Sequence, residues 1–266
     1  MKGERIYMED SRVQKYADML YRSAIDKVSI APLTGIDASI TIDNAYAIQL
    51  YNVERVVGQG EVISGKKIGL TSEGIQKQLG VNEPDYGHLF KGMDRVDGTV
   101  PTDEFLQPKI EGEIAFVLKD DLSGGNITVE DVIKATDYVV GAFEVVDSRI
   151  KDWEIKLADT ISDNASSGCY VLGKKKLFLD QVDLATVTME LYKNGRLAAE
   201  GKGAAVLGDP RLSVAWLANR LWNYGVTLKK GEVILSGAFS AAPVAAKGDE
   251  FEAKFSDFGS VKAKFV

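Results

Sequence analysis

Residues 109–118 read KIEGEIAFVL, and they restrict the fold more than any other stretch of the chain. The apolar run Ile114, Ala115, Phe116, Val117 and Leu118 reads as a core strand, yet Glu111 and Glu113 stand two residues apart at its head. Successive strand residues alternate between faces, so both carboxylates point the same way. Side-by-side anions in such a strand call for a cation, raised pKa values or exposure. Taken alone, the pair also fits the wet face of a half-exposed sheet, where alternating charge is usual.

Glu144 adds to the problem. It lies in GAFEVVD, near the end of a second long apolar strand. With Glu111 and Glu113 it makes three carboxylates from two strands, and hard oxygen ligands of this kind suit Mg²⁺, Mn²⁺ or Ca²⁺ rather than Zn²⁺.

The rest of the chain supplies a frame for these strands. Its 266 residues, 45% hydrophobic and 27% charged, are enough for one large domain or a main domain with an appendage. Residues 1–62 read as a mostly helical portion and 63–266 as a β-rich domain. A helix is expected over 9–29 from Val13, Ala17, Leu20 and Ala24. A second is expected to be capped by Asp43 and ended by Gly58–Gly60. A strand at 66–71 precedes a helix from Ser72 to Gly80. Strands follow at 110–118, 138–146 and 168–173, with a helix at 129–137 between the first two. Asn194–Gly195 marks a type I′ hairpin, and Asp209 and Pro210 open a helix that Gly225 closes. Further strands end the chain. The expected fold class is α+β, with a rolled or barrel-like sheet and the helical portion packed against it.

Several functions drop out. A net charge of -7 with scattered Lys and Arg gives no field for nucleic acid. The single cysteine, Cys169, cannot form an internal disulfide and reads as a buried, inert core residue. With no signal-like apolar core and no stretch of about 20 apolar residues, the expected setting is cytoplasmic, away from membranes. His88 is the only histidine and reads as structural or near a pocket rim, since no nucleophile elbow accompanies it. GKGAAVLG and SGKKIG lack the context of nucleotide-binding loops. Trp216, Trp222 and Tyr224 read as core and interface.

Six segments, KIGLTS (67–72), PDYGHLF (84–90), QPKIEGEIAFVL (107–118), FEVVDSR (143–149), DTISDNASSGCYVLG (159–173) and GEVILSGA (231–238), resemble the 2-keto-4-pentenoate (2-hydroxypenta-2,4-dienoate) hydratase family. That family stands beside the 4-oxalocrotonate decarboxylases in the fumarylacetoacetate hydrolase superfamily. The resemblance implies a hydrolase-like rolled mixed sheet and a divalent metal, Mg²⁺ or Mn²⁺, on Glu111, Glu113 and Glu144. It implies Lys67 or Asp85 as the proton carrier and Lys67 and Ser166 as substrate contacts, with Lys66 an unmatched neighbour. Asp163 and Asn164 are expected to shape the serine loop through side-chain to backbone bonds.

The implied reaction adds water to 2-hydroxypenta-2,4-dienoate, giving 4-hydroxy-2-oxopentanoate in meta-cleavage degradation of aromatic compounds. The implied assembly is a homo-oligomer, up to a decamer, possible alone or paired with a decarboxylase. SGCYVLG and LSGAFSAAPVAAKGD lean toward the hydratases, because decarboxylases tend to carry Gly-Gly where Gly237–Ala238 stands here, although AFSAAP departs from the commonest hydratase wording. Decarboxylation is the alternative. A non-catalytic metal-stabilised subunit is a third reading, against which Lys67 counts, since a structural metal site needs no amine.

Overall fold

The structure is a computed structural model and describes residues 10–72, 74, 76–77, 81 and 83–266. Helix α1 (Asp10–Asp26) buries Val13, Tyr16, Ala17 and Leu20 and ends where Lys27 turns left-handed, at φ 55°. It stops three residues short of the expected end. After the single turn α2 (Leu33–Ile36) comes α3 (Ile42–Gly58). Its cap is Thr41 and not Asp43: the Asn44 N–H donates to Thr41 Oγ1 (3.2 Å) and the Asn44 side chain returns a bond to the Thr41 N–H (3.0 Å). Asp43 lies in the first helical turn, where its charge complements the helix dipole. The expected helix from Ser72 to Gly80 lies largely outside the described residues.

Among the described residues eleven strands make two sheets. The first is mixed, in the order β2 (Asp85–Phe90), β1 (Ile63–Gly69), β9 (Val233–Leu235), β4 (Lys109–Leu118), β5 (Thr136–Val146) and β6 (Ser167–Leu172). Among the described residues of this sheet the β1–β9 pair is parallel and the other pairs antiparallel. The second sheet runs β3 (Thr99–Val100), β11 (Gly259–Phe265), β10 (Glu250–Phe255), β7 (Thr188–Lys193) and β8 (Arg196–Lys202). Asn194 and Gly195, at φ 51° and 74°, form the expected hairpin turn between β7 and β8. Later in the chain come α4 (Val129–Ala135), α5 (Leu157–Ser162) and α6 (Pro210–Trp222), the last capped by Asp209 as expected. Trp222 at the end of α6 is half exposed, whereas Cys169 is buried in β6 as expected.

The expected α+β class holds, and the roll belongs to the first sheet. It curls until its outer strands approach one another: Ser64 Oγ of β1 and Tyr170 OH of β6 lie 3.3 Å apart, and Asn164, just before β6, bonds to the backbone of β2. The convex face buries Ile68, Tyr86, Ile114, Phe116, Val139 and Ile234 in the main core, where the helices and the second sheet cover it. Tyr46 of α3 stacks on Tyr86 at 4.5 Å, and Met189, Ala253 and Phe255 pack under the β4–β5 ribbon. The concave face is divided. One end holds Leu89, Ala115, Val140, Ala142, Tyr170 and Leu235 in a separate apolar cluster. The other holds the acidic strand residues. Among the described residues no helix is long and apolar enough to cross a membrane.

Candidate metal centre and active site

Register brings the three glutamates together. Glu111 of β4 is the direct partner of Glu144 on β5, and Glu113 follows one pleat further on the same face. One ligand oxygen from each lies within 4.8 Å of the others. The reading of a wet sheet face fails, because this face is the inside of the roll: Glu113 and Glu144 are buried, and Glu111 opens on a cavity of about 500 Å³. Burial raises the pKa of all three, to about 7 for Glu144, and at Glu113 the charges of Glu144 and Glu111 add to it.

Lys67 answers part of that charge. It sits on β1, whose next residue across the sheet is Leu235 of β9, and its Nζ lies 3.0 Å from Glu144 Oε1. The ammonium also donates to the Ala165 carbonyl at 2.9 Å. Burial works to lower its pKa, but Glu144, then Asp85, Glu111 and Glu113, hold it above the ordinary lysine value. Lys66 points to the other face, where it pairs with Glu232 at 3.0 Å.

Asp85 begins β2 and is not a turn residue. It stands opposite Gly69, where a β-carbon would collide with its carboxylate, so only glycine lets the acid lie so close to β1. Thr160 Oγ1 donates to Asp85 Oδ2 (3.1 Å), while Oδ1 has no hydrogen-bond partner. Burial raises the Asp85 pKa against the opposing pull of Lys67. A buried carboxyl so placed can carry a proton.

Ser166 comes from an unusual turn. Asn164, Ala165 and Ser166 have φ of 55°, 50° and 53°, three successive left-handed residues without a glycine. Each costs roughly 1–2 kcal/mol, least for asparagine. The turn directs the Ala165 carbonyl to Lys67 and leaves Ser166 Oγ buried without a partner at the cavity wall. Asp163 holds the approach by accepting from Arg149 N (2.9 Å) and from the Arg149 guanidinium. The structure therefore gathers Lys67, Asp85, Ser166 and the three glutamates in one place.

His88 is excluded from it. The ring lies on the convex face opposite Lys66, with Nδ1 3.2 Å from Gln49 Oε1. Sequence reasoning missed Thr160, the Gly237 N–H that donates to Glu113 Oε2 (2.8 Å), and the outer walls Trp153, Ile155 and Phe239. GEVILSGA and DTISDNAS do contain Gly237 and Thr160, but nothing in the pattern aims a threonine hydroxyl at an acid 75 residues away or a backbone N–H at one 124 residues away.

The donor set fits a hard divalent cation. Glu113 Oε1 and Glu144 Oε2 are buried without a partner, and Glu144 Oε1 has only the Lys67 ammonium beside it, an arrangement that a divalent cation completes.

A rolled α+β scaffold with a carboxylate triad inside the roll defines a class of proteins built to hold a divalent cation beside a cavity. The chain belongs to the fumarylacetoacetate hydrolase family, whose C-terminal model matches residues 90–266. It is 44% identical over 259 residues to the 2-keto-4-pentenoate hydratase of Paraburkholderia xenovorans, covering 97% of this chain and 96% of that protein. It is 42% identical over 257 residues to the 2-hydroxyhexa-2,4-dienoate hydratase of Comamonas testosteroni, covering 96% and 97%. The 4-oxalocrotonate decarboxylase from Pseudomonas putida G7, solved with magnesium and adipate, superposes with a TM-score of 0.94 at 35% identity, covering 97% of this chain and 99% of that one. Like these relatives, the chain is a lyase.

Proposed function

We propose that the chain is a divalent-metal-dependent hydratase that converts 2-hydroxypenta-2,4-dienoate to 4-hydroxy-2-oxopentanoate in the meta-cleavage degradation of aromatic compounds. The observation that carries this reading over decarboxylation is identity, 44% and 42% to two hydratases against 35% to the decarboxylase. Glu111, Glu113 and Glu144 would hold Mg²⁺ or Mn²⁺, which supplies Lewis-acid polarisation of the 2-oxo group and its carboxylate.

The remaining chemistry belongs to the chain. Lys67 stays an ammonium among the surrounding acids, so it stabilises negative charge at the substrate's C2 oxygen while the 2-hydroxyl proton passes to water in the cavity, from which Asp85 regains its proton at the end of the cycle. The Asp85 carboxyl, which burial inclines toward its protonated form, delivers a proton to C5, which completes the tautomer 2-oxopent-3-enoate. Its carboxylate then takes a proton from water as the water oxygen bonds to C4, and that proton ends on C3. The Ser166 hydroxyl, free of internal partners, donates to the substrate carboxylate. The apolar walls Leu70, Val146, Ile155 and Phe239 shield the reacting carbons from bulk water.

We place the protein in the cytoplasm as a homo-oligomer, up to a decamer, alone or paired with a decarboxylase; light scattering on the purified chain tests the assembly. Ultraviolet monitoring of enzymatically generated 2-hydroxypenta-2,4-dienoate, with 4-oxalocrotonate in parallel, tests the reaction. Loss of the dienoate signal that chelation stops and Mg²⁺ or Mn²⁺ restores is the expected result. Carbon dioxide release from 4-oxalocrotonate with no hydration would replace this reading by its alternative.

A further inference from the structure

Asn164 does not line the cavity, yet its side chain joins the two elements that deliver the cavity's uncharged and acidic groups. Oδ1 accepts the His88 N–H at 2.7 Å and Nδ2 donates to the His88 carbonyl at 2.9 Å, so the carboxamide pairs with β2 as another strand residue would. Strand β2 carries Asp85 three residues earlier. On the other side Asn164 opens the left-handed turn that aims the Ala165 carbonyl at Lys67 and exposes Ser166 Oγ. The approach is close: a β-carbon on Gly87 would strike the Asn164 carbonyl, which itself accepts Ser167 Oγ at 2.7 Å. The Ser166 carbonyl is held in turn by the Asp147 N–H at 2.8 Å. A turn with three left-handed residues persists only where its surroundings fix it, and the two bonds to His88 are the ones that fix it to the strand bearing Asp85.

We propose that Asn164 is a positioning residue for the reaction: its carboxamide clamp on the His88 backbone sets the Ser166 hydroxyl and the Ala165 carbonyl in place against Lys67 and Asp85. The inference rests on the hydratase reading given above. It acts through Ser166 and Lys67 and leaves the glutamates on β4 and β5 untouched.

The test compares Asn164→Gly, which tolerates the left-handed turn but lacks both bonds, with Asn164→Asp, which keeps the acceptor for the His88 N–H and loses the donor. Both are made alone and with Ser166→Ala, and each is assayed for kcat, KM, melting temperature and calorimetric Mg²⁺ affinity. Misplacement of this order lowers kcat by roughly 10–100-fold in Asn164→Gly, less in Asn164→Asp, with Mg²⁺ affinity as in wild type. On Ser166→Ala the further loss from Asn164→Gly is much smaller, because the two act as a unit. A kcat within twofold of wild type despite a lowered melting temperature, or losses that simply multiply, overturns the clamp. If Asn164→Gly does not fold, Asn164→Asp carries the same comparison. A wild-type protein inert toward the dienoate would sink the hydratase reading instead. The clamp is then judged on the Mg²⁺-loaded protein's affinity for 2-oxopentanoate, which Asn164→Gly weakens if the clamp stands and leaves unchanged if it does not.

Discussion

The inside of the rolled sheet has two ends, and one strand builds both. Along a single face of β4 come Glu111, Glu113, Ala115 and Val117; across on β5, Glu144 opposes Glu111, Ala142 opposes Glu113 and Val140 opposes Ala115. At the apolar end Leu89, Ala115, Val140, Tyr170 and Leu235 are satisfied by one another, with no dependence on direction or charge. At the acidic end each group needs a particular partner: Lys67 for Glu144, the Gly237 N–H for Glu113, Thr160 for Asp85. The apolar end stabilises the roll in any state. The acidic end works against the fold until positive charge arrives, and it is tolerable because the other end and the convex core hold the strands in register. Stability and chemistry are thus divided along one strand, with the Glu113–Ala142 pair as the boundary.

The largest expected effect breaks the comparison at its charged end. Lys67→Met removes the ammonium and lowers turnover by roughly 10²–10³, the usual size for losing one preorganised group that stabilises developing charge, while metal binding persists; Glu111→Gln loses metal binding itself. Dienoate consumption beside metal titration by calorimetry separates the two. A Lys67→Met protein with unimpaired turnover would leave Lys67 as a counter-ion of Glu144 and nothing more. The apolar end answers in the opposite currency. Leu89, 1% exposed, becomes alanine at a cost of about 2–5 kcal/mol in urea unfolding, and kcat per folded molecule stays at the wild-type value. Should kcat fall with stability, the two ends are not separate.

A smaller effect comes from the metal. At a hundredfold excess over its Kd, Mg²⁺ or Mn²⁺ adds about 2.7 kcal/mol by mass action and raises the melting temperature. Leu89→Ala keeps that increment and Glu111→Gln loses it. A melting curve of the wild-type protein indifferent to both ions would mean that the three glutamates do not share a site.

Much of this was legible in the sequence, for physical reasons that differ by element. Strand β4 announces itself because its apolar run and acid pair follow period two, and the Asn194–Gly195 turn because few other dipeptides suit that backbone. The start of α3 was misplaced by two residues, since Thr41 and Asp43 are both good caps and only the reciprocal Asn44 bond decides. Strand β2 was invisible as a strand: PDYGHLF shows no alternation because both its faces are buried, one under α3 and one inside the roll. Glu111, Glu113 and Glu144 could be grouped from the sequence by residue type, but Lys67, Asp85 and Ser166 entered only through family resemblance. Their meeting depends on the β1–β9 crossover and on a left-handed turn at 164–166, which no local pattern encodes.

The effect that is smallest per pH unit sharpens the comparison by adding a buried ionisable group that has no partner of opposite charge. His88, on the convex face, is pressed by burial and by the facing Lys66 to a pKa of about 3, against about 6.5 in the unfolded chain. Between those values the unfolded chain binds a proton that the folded one refuses, so stability is complete above pH 6.5 and is lost as pH falls toward 3, at up to ~1.4 kcal/mol per pH unit. The acidic end slopes the other way. Burial lifts Glu144 to about 7, so without metal its contribution is complete below the ordinary glutamate value and is lost as pH rises toward 7. Urea unfolding in chelator at several pH values between 7 and 4, for the wild type and His88→Asn, isolates the histidine as a difference in slope. The variant should lack the loss on acidification and keep the opposing trend from the carboxylates, which added Mg²⁺ then removes. Equal slopes in the two proteins would show that His88 takes up its proton without unfolding the strand, and that burial among neighbours which offer no counter-charge is less strict on the convex face than inside the roll.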